Sequence, residues 1–89
     1  MNIELTLIGK PGCHLCDDAR DVITSVLNGF RADYPNSFVV LTELSILDDV
    51  ELAAAHMDEI PVLKINGRVH NFWRIDPDRF RRALEELVD

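Results

Sequence analysis

Two cysteines lie at the point where an extended segment gives way to a helix. Residues 3–8 alternate between apolar and polar side chains, which is typical of a strand. A Gly-Lys-Pro-Gly segment then breaks that pattern, and apolar residues recur at helical spacing after it. The sequence therefore predicts a helix that opens at the cysteine pair, Cys13 and Cys16. We expect it to end near Gly29 or one turn later.

A second strand and a short helix are predicted in the middle of the chain. Residues 38–41 form an uninterrupted run of apolar β-formers, which is typical of a strand in a parallel pair that is buried on both faces. Asp48 is the expected N-cap of the following helix, because Glu51 completes a capping-box pattern with it. We expect this helix to end near His56.

Turn chemistry defines the last third of the chain. An Asn-Gly dipeptide at 66–67 separates two apolar runs, 62–65 and 68–72, and predicts a type I′ hairpin. An Asp-Pro pair at 76–77 predicts the start of a final helix. The resulting order is β-α-β-α-β-β-α, with a parallel first βαβ unit and an antiparallel hairpin.

Length and charge restrict the classes of protein to which the chain can belong. Its 89 residues suffice for a single domain over residues 1–89. Sixteen acidic and nine basic residues give a formal charge of −7, so we expect no nucleic-acid partner. No apolar run approaches the roughly 18 residues of a membrane span, and residues 1–8 lack the features of a signal peptide. We expect a cytoplasmic monomer that does not bind a membrane.

The position of the cysteine pair indicates redox chemistry. A thiolate at a helix N-terminus is stabilised by unpaired backbone N–H groups and by the helix dipole, so its pKa falls below the usual value of about 8.5. Cys13 lies at the cap, where its sulfur reaches the surface, and we assign it as the attacking nucleophile. Cys16 lies in the first turn and faces the sheet, and we assign it as the resolving thiol.

Other roles for the cysteines stay open at this point. A structural disulfide across so short a loop contributes only about 2 kcal/mol and is rare in the cytosol. Two inert buried cysteines are a further alternative. A zinc site needs about four ligands, and the three histidines are not at a recognisable ligand spacing, so we expect no metal. A dimer that shares zinc or an iron–sulfur cluster, and a redox sensor that regulates a partner, are the remaining alternatives.

Charged residues around the pair have opposing effects on a Cys13 thiolate. Lys10 either stabilises the thiolate and attracts an anionic substrate or is an ordinary exposed loop lysine. A protonated His14 would favour the thiolate, while the helix dipole disfavours that proton. Asp17 and Asp18 suit the helix dipole but repel a nearby thiolate. We therefore expect a lowered but not extreme pKa for Cys13.

The motif in residues 9–16, together with Ile60-Pro61 and the Asn-Gly dipeptide at 66–67, resembles the glutaredoxins. The whole chain is similar to compact bacterial glutaredoxin-like proteins of the thioredoxin superfamily. The resemblance implies an α/β thioredoxin fold, with a four-stranded mixed sheet in the order 2-1-3-4 and three flanking helices. It also implies a thiol–disulfide oxidoreductase, a cis Pro61, and an Ile60 backbone that pairs with a bound peptide or glutathione.

Some positions depart from the glutaredoxin pattern. Leu15 replaces an aromatic residue, and Asn71-Phe72 and Arg74 replace the Gly-Gly pair and the acidic residue that hold glutathione. Arg74 reverses the usual charge and offers a partner for a carboxylate, and Trp73 is either a core residue or a platform for substrate. We expect protein or small-molecule disulfides as partners, and no bound cofactor, with glutathione as an alternative electron donor. The candidate substrate-contacting residues are Lys10, His14, Leu15, Ile60, Pro61 and Arg74.

Overall fold

The computed structural model describes residues 2–88, and its elements follow the predicted order. The strands are β1 (Asn2–Gly9), β2 (Phe38–Ser45), β3 (Val62–Ile65) and β4 (Arg68–Phe72), and the helices are α1 (His14–Asp33), α2 (Val50–His56) and α3 (Pro77–Glu85). Helix α1 ends one turn beyond Gly29, as the sequence predicts. None of the helices within residues 2–88 is long and apolar enough to cross a membrane.

The four strands form one mixed sheet in the order β2-β1-β3-β4. Strand β1 pairs in parallel with β2 and antiparallel with β3, and β3 pairs antiparallel with β4. This arrangement, with three helices around the sheet, confirms the predicted fold class. Because β1 is central, its carboxyl end places the start of α1 at the middle of one sheet edge.

The hydrophobic core lies between one face of the sheet and the helices α1 and α3. The strand β1 contributes every second residue to it, as expected from the alternation of side chains along a strand. The fully buried side chains of this core include Ile3, Leu5 and Leu7 from β1, Ile23 and Phe30 from α1, and Phe80 and Leu84 from α3. Burial of these two large aromatic rings holds both helices on the same side of the sheet.

The parallel pairing of β2 is confirmed, but its predicted burial on both faces is wrong. Val39 is buried, whereas Val40 and Leu44 are exposed and Phe38 is 62% exposed. The reason is that β2 lies at the edge of the sheet, and its outer face is not covered along its length. An apolar run alone does not distinguish a central strand from an edge strand of this kind.

The N-cap of α2 is Asp49 rather than Asp48. The Asp49 carboxylate accepts hydrogen bonds from the backbone N–H groups of Glu51 at 2.8 Å and Leu52 at 3.3 Å. Asp48 instead belongs to the preceding turn, in which its N–H donates to the carbonyl of Ser45 at 3.1 Å. Only Asp48 is followed three residues later by a glutamate, as a capping box requires, but the turn determines which aspartate caps the helix. The predicted end at His56 is confirmed.

The predicted hairpin and final helix are both confirmed. Asn66 and Gly67 have φ values of 51° and 82°, the left-handed pair that a type I′ turn requires. Asn66 also ties the turn to β1, because its side-chain oxygen accepts from the Glu4 N–H at 2.8 Å. Asp76 caps α3 and Pro77 occupies its first turn.

We expect Phe80→Ala to lower the free energy of unfolding by about 3–5 kcal/mol, because it leaves a cavity in the core. Phe38→Ala is the matched control, since it removes the same ring from the exposed face of β2 and is expected to cost less than about 0.5 kcal/mol. Chemical denaturation measures both values. Equal destabilisation by the two substitutions would contradict this description of the core.

Candidate active site around the cysteine pair

Cys13 is the N-cap of α1, and its sulfur takes the place of the usual capping oxygen. Its backbone is extended, with φ −99° and ψ 113°, and its Sγ accepts a hydrogen bond from the Cys16 N–H at 3.2 Å. Hydrogen bonds of this kind stabilise a thiolate more than a thiol, because they favour the charged form. The local structure therefore favours ionisation of Cys13 when the pair is reduced.

The two cysteines are joined as a disulfide, with their Cα atoms 5.2 Å apart. They are the two cysteines of the sequence, so the predicted pairing is present. Their exposure differs, since Cys13 is half-buried and Cys16 is only 1% exposed. An incoming sulfur atom can thus approach Cys13 more readily than Cys16.

Gly9 ends β1 directly beneath the disulfide. A Cβ built on Gly9 would lie 2.8 Å from Cys16 Sγ and 3.2 Å from Cys16 Cβ, closer than van der Waals contact allows. The absence of a side chain at Gly9 is therefore what lets the Cys16 sulfur pack against the strand. Sequence reasoning treated this glycine only as a break between two elements, because a glycine before a helix gives no sign of what packs over it.

The peptide bond between Ile60 and Pro61 is cis, as the resemblance implied. Strands β1 and β3 pair Ile8 with Val62, and continuing this antiparallel register by one residue brings Pro61 beside Gly9. Pro61 is buried, and Ile60 is partly exposed at the entrance to β3. The register thus makes Gly9, which contacts Cys16, a neighbour of Pro61, although about 50 residues separate the two in sequence.

A cavity of about 350 Å³ lies on the β2 side of the pair, and Lys10 and Cys16 both line it. Arg20 of α1 reaches across it to Glu43 of β2, with 2.7 Å between Nε and Oε1, and also pairs with Asp17 at 2.9 Å. These hydrogen bonds, first that to Glu43 and then that to Asp17, raise the pKa of the Arg20 guanidinium. Sequence reasoning missed Arg20, although its spacing of four residues from Cys16 places both on one helix face.

Leu15 and Arg74 line a second cavity, of about 140 Å³, on the opposite side of α1. The structure therefore brings Arg74 next to the residue that precedes Cys16. Lys10 and His14 are exposed at the two ends of the turn that leads into α1. Of the predicted substrate-contacting residues, Lys10 shares the first cavity with Cys16, and Leu15 and Arg74 share the second.

Trp73 follows β4 and is not a core residue, since 53% of it is exposed. Its backbone N–H donates to the Pro61 carbonyl at 2.7 Å, and its indole Nε1–H donates to the Asp58 carbonyl at 3.3 Å. The sequence left open whether this residue packs in the core or lies on the surface. The structure places it on the surface, next to the cis proline.

The other histidines have local partners of their own. His56 Nδ1 lies 3.1 Å from a carboxylate oxygen of Glu59, and the His70 ring packs against Phe80 with 6.0 Å between ring centroids. Burial, and secondarily the charge of Arg79, lowers the pKa of His70, so this side chain is neutral near pH 7. Among residues 2–88, no group of three or more His, Cys, Asp or Glu side chains is arranged to hold a metal ion.

We expect Gly9→Ala to destabilise the protein by about 1–3 kcal/mol, because the added methyl group collides with Cys16 in a packed interior. The matched control is Gly29→Ala within α1, where a Cβ would meet only the end of the flexible Arg81 side chain, at 3.4 Å. Alanine is a better helix former than glycine, so the control should gain about 0.5–1 kcal/mol. Thermal or chemical denaturation distinguishes the two, and an unchanged stability for Gly9→Ala would contradict the close packing.

Comparison with known proteins places the chain in a family. Residues 4–85 match the family model described as Glutaredoxin-like domain (DUF836). No curated protein matches the chain.

Solved structures agree with this placement. In its crystal structure, the protein XcR50 from X. campestris is 32% identical, with 92% of this chain and 96% of that chain covered and a TM-score of 0.65. Its solution structure gives a TM-score of 0.70 at 30% identity, with 92% of both chains covered. Oxidised thioredoxin from Plasmodium falciparum is 11% identical over 98% of this chain and 82% of that chain, with a TM-score of 0.56, and shares the fold. The Cys13–Cys16 pair supports a redox-type function, the chain has the thioredoxin fold, and it belongs to the glutaredoxin-like domain family (DUF836).

Proposed function

We propose that the protein is a thiol–disulfide oxidoreductase in which Cys13 attacks a substrate disulfide and Cys16 resolves the product. The observation that carries this proposal is the hydrogen bond from the Cys16 N–H to Cys13 Sγ at the start of α1. This hydrogen bond favours the thiolate form of Cys13, which is also the more exposed of the two cysteines. A purely structural disulfide requires neither property.

The reaction proceeds in two exchange steps. The Cys13 thiolate attacks one sulfur of the substrate disulfide, the substrate S–S bond breaks, and the other substrate sulfur leaves as a thiolate that takes up a proton. Cys16, once deprotonated, attacks the Cys13 sulfur of the mixed disulfide and releases the second substrate thiolate. Two electrons pass from the dithiol to the substrate, and the protein is left as the disulfide.

The roles of the cysteines follow from their exposure. Cys16 is almost completely buried against Gly9, so a bulky disulfide cannot align with its sulfur. It nevertheless lies within bonding distance of Cys13, as the disulfide demonstrates. An intramolecular attack by Cys16 therefore needs no rearrangement of the helix, and its effective concentration is high.

Substrate binding is assigned to the residues around this surface. Ile60, next to the cis proline, offers a partly exposed backbone for pairing with an extended peptide. Lys10 and Arg74 provide cations on the two sides of the pair, and His14 and Leu15 border Cys13. We propose protein or small-molecule disulfides as substrates of a cytoplasmic monomer. A thiol such as glutathione would return the electrons from outside the protein, without a bound cofactor or metal.

We expect Cys13→Ser to abolish disulfide reduction and Cys16→Ser to accumulate a mixed disulfide through Cys13. The reason is that only the first substitution removes the attacking sulfur, whereas the second blocks the release of substrate. Non-reducing mass measurement after incubation with a disulfide substrate detects the adduct. Trapping by Cys13→Ser and not by Cys16→Ser would reverse the assignment.

In the Cys16→Ser variant, we expect the pKa of the Cys13 thiol to lie below the usual value of about 8.5. Alkylation rates measured against pH give this pKa, because only the thiolate reacts. A further Lys10→Gln substitution should raise it, since a cation favours the charged form. Lys64→Gln on β3 is the matched control and should leave it unchanged. A pKa at or above that of a free thiol would contradict the proposed activation.

A further inference from the structure

Trp73 is held in a conformation that costs conformational free energy. Its φ is 62°, in the left-handed region that non-glycine residues rarely adopt. Two hydrogen bonds keep it there, from its backbone N–H to Pro61 and from its indole N–H to Asp58. A strained residue that its surroundings fix in this way is often part of a functional site.

Core packing does not account for the fixed ring. Ile75, two residues later, is buried in the core, whereas Trp73 leaves half of its surface in contact with solvent. Phe72 is also exposed, and its ring lies 6.2 Å from the Trp73 ring between centroids. The exposed rings of Phe72 and Trp73 are called the aromatic platform below.

The aromatic platform lies beside the surface that a disulfide substrate must cross. The Trp73 backbone N–H donates a hydrogen bond to the carbonyl of the cis Pro61, and the register of β1 and β3 places Pro61 beside Gly9, which contacts Cys16. On its other side, Arg74 lines a cavity with Leu15, the neighbour of Cys16. Along the sheet, Trp73 lies two strand spacings from Gly9, about 10 Å. An extended substrate covers this distance in about three residues at about 3.3 Å per residue, and in fewer when a large side chain extends toward Trp73.

We propose that Trp73 determines substrate specificity, and that the aromatic platform binds an apolar or aromatic side chain next to the reacting cysteine of a polypeptide disulfide. This inference rests on the proposed oxidoreductase function and names its substrate class. A rigid, exposed indole supplies a large apolar contact area and loses little conformational entropy on binding. Glutathione has no apolar side chain to fill such a platform, so the platform favours polypeptides.

Two peptide disulfides, identical except for phenylalanine or glycine beside each cysteine, test the proposal in single-turnover reactions with the reduced protein. We expect the phenylalanine peptide to be reduced about tenfold faster, as burial of an aromatic side chain allows. Trp73→Gly removes the ring and accepts the left-handed backbone, and it should abolish this preference. Trp73→Phe retains a ring and should keep most of the preference.

The glycine peptide is the internal control for the redox centre. Its rate of reduction should fall much less than that of the phenylalanine peptide in Trp73→Gly, because its glycines have no side chain to pack on the ring. An equal loss of rate for both peptides in Trp73→Gly would indicate a structural role and overturn the proposal. Equal rates for the two peptides with the wild-type protein would also overturn it.

A binding measurement separates this proposal from the proposed function. Trp73 is the single tryptophan of the sequence, so intrinsic fluorescence reports on the aromatic platform directly. Peptides with serine in place of cysteine cannot react, and the phenylalanine version should give a saturable blue shift that the glycine version does not. If neither disulfide is reduced but the shift occurs, the redox function fails while the binding site stands. No shift with the phenylalanine peptide overturns the binding site.

Discussion

The hydrogen bond from the Cys16 N–H to Cys13 Sγ joins the chemistry of the protein to its fold. It satisfies one of the backbone donors that every helix leaves unpaired at its start, and it does so with a sulfur atom. The same contact therefore caps α1, the longest of the three described helices, and places Cys13 at the positive end of the helix dipole. The central position of β1 supports this arrangement, because the strand delivers the chain to α1 at the middle of the sheet edge.

Beneath this helix start, packing leaves little freedom. Gly9 lies at the end of a strand and Cys16 in the first turn of a helix, and they meet where no space remains for even one additional methyl group on Gly9. This close contact buries one sulfur while the cap position leaves the other accessible. The difference between the two cysteines thus arises from the packing around them and not from their chemistry, which is identical.

The features that follow local rules could be predicted from the sequence. Asn66 and Gly67 specify their turn by backbone preference, Asp76 and Pro77 specify a helix start, and the cysteine spacing places both sulfurs on one helix face. The features that depend on distant neighbours could not. The exposure of Val40 depends on what covers the edge strand β2. The requirement for a glycine at position 9 depends on Cys16 packing against it. The environment of Trp73 depends on Pro61, which is remote in sequence.

The edge strand β2 carries exposed apolar side chains and a row of backbone groups that a second strand could pair with. Arg31 of α1 donates from Nη2 to the Val39 carbonyl at 2.8 Å and so occupies one acceptor on this strand. Charged side chains at sheet edges oppose intermolecular strand pairing, and a net charge of −7 adds repulsion between molecules. These contacts affect the colloidal stability of the protein. High salt screens the repulsion between molecules, and fraying of the end of α1 would release the Val39 carbonyl from Arg31. Both changes together would favour aggregation through β2.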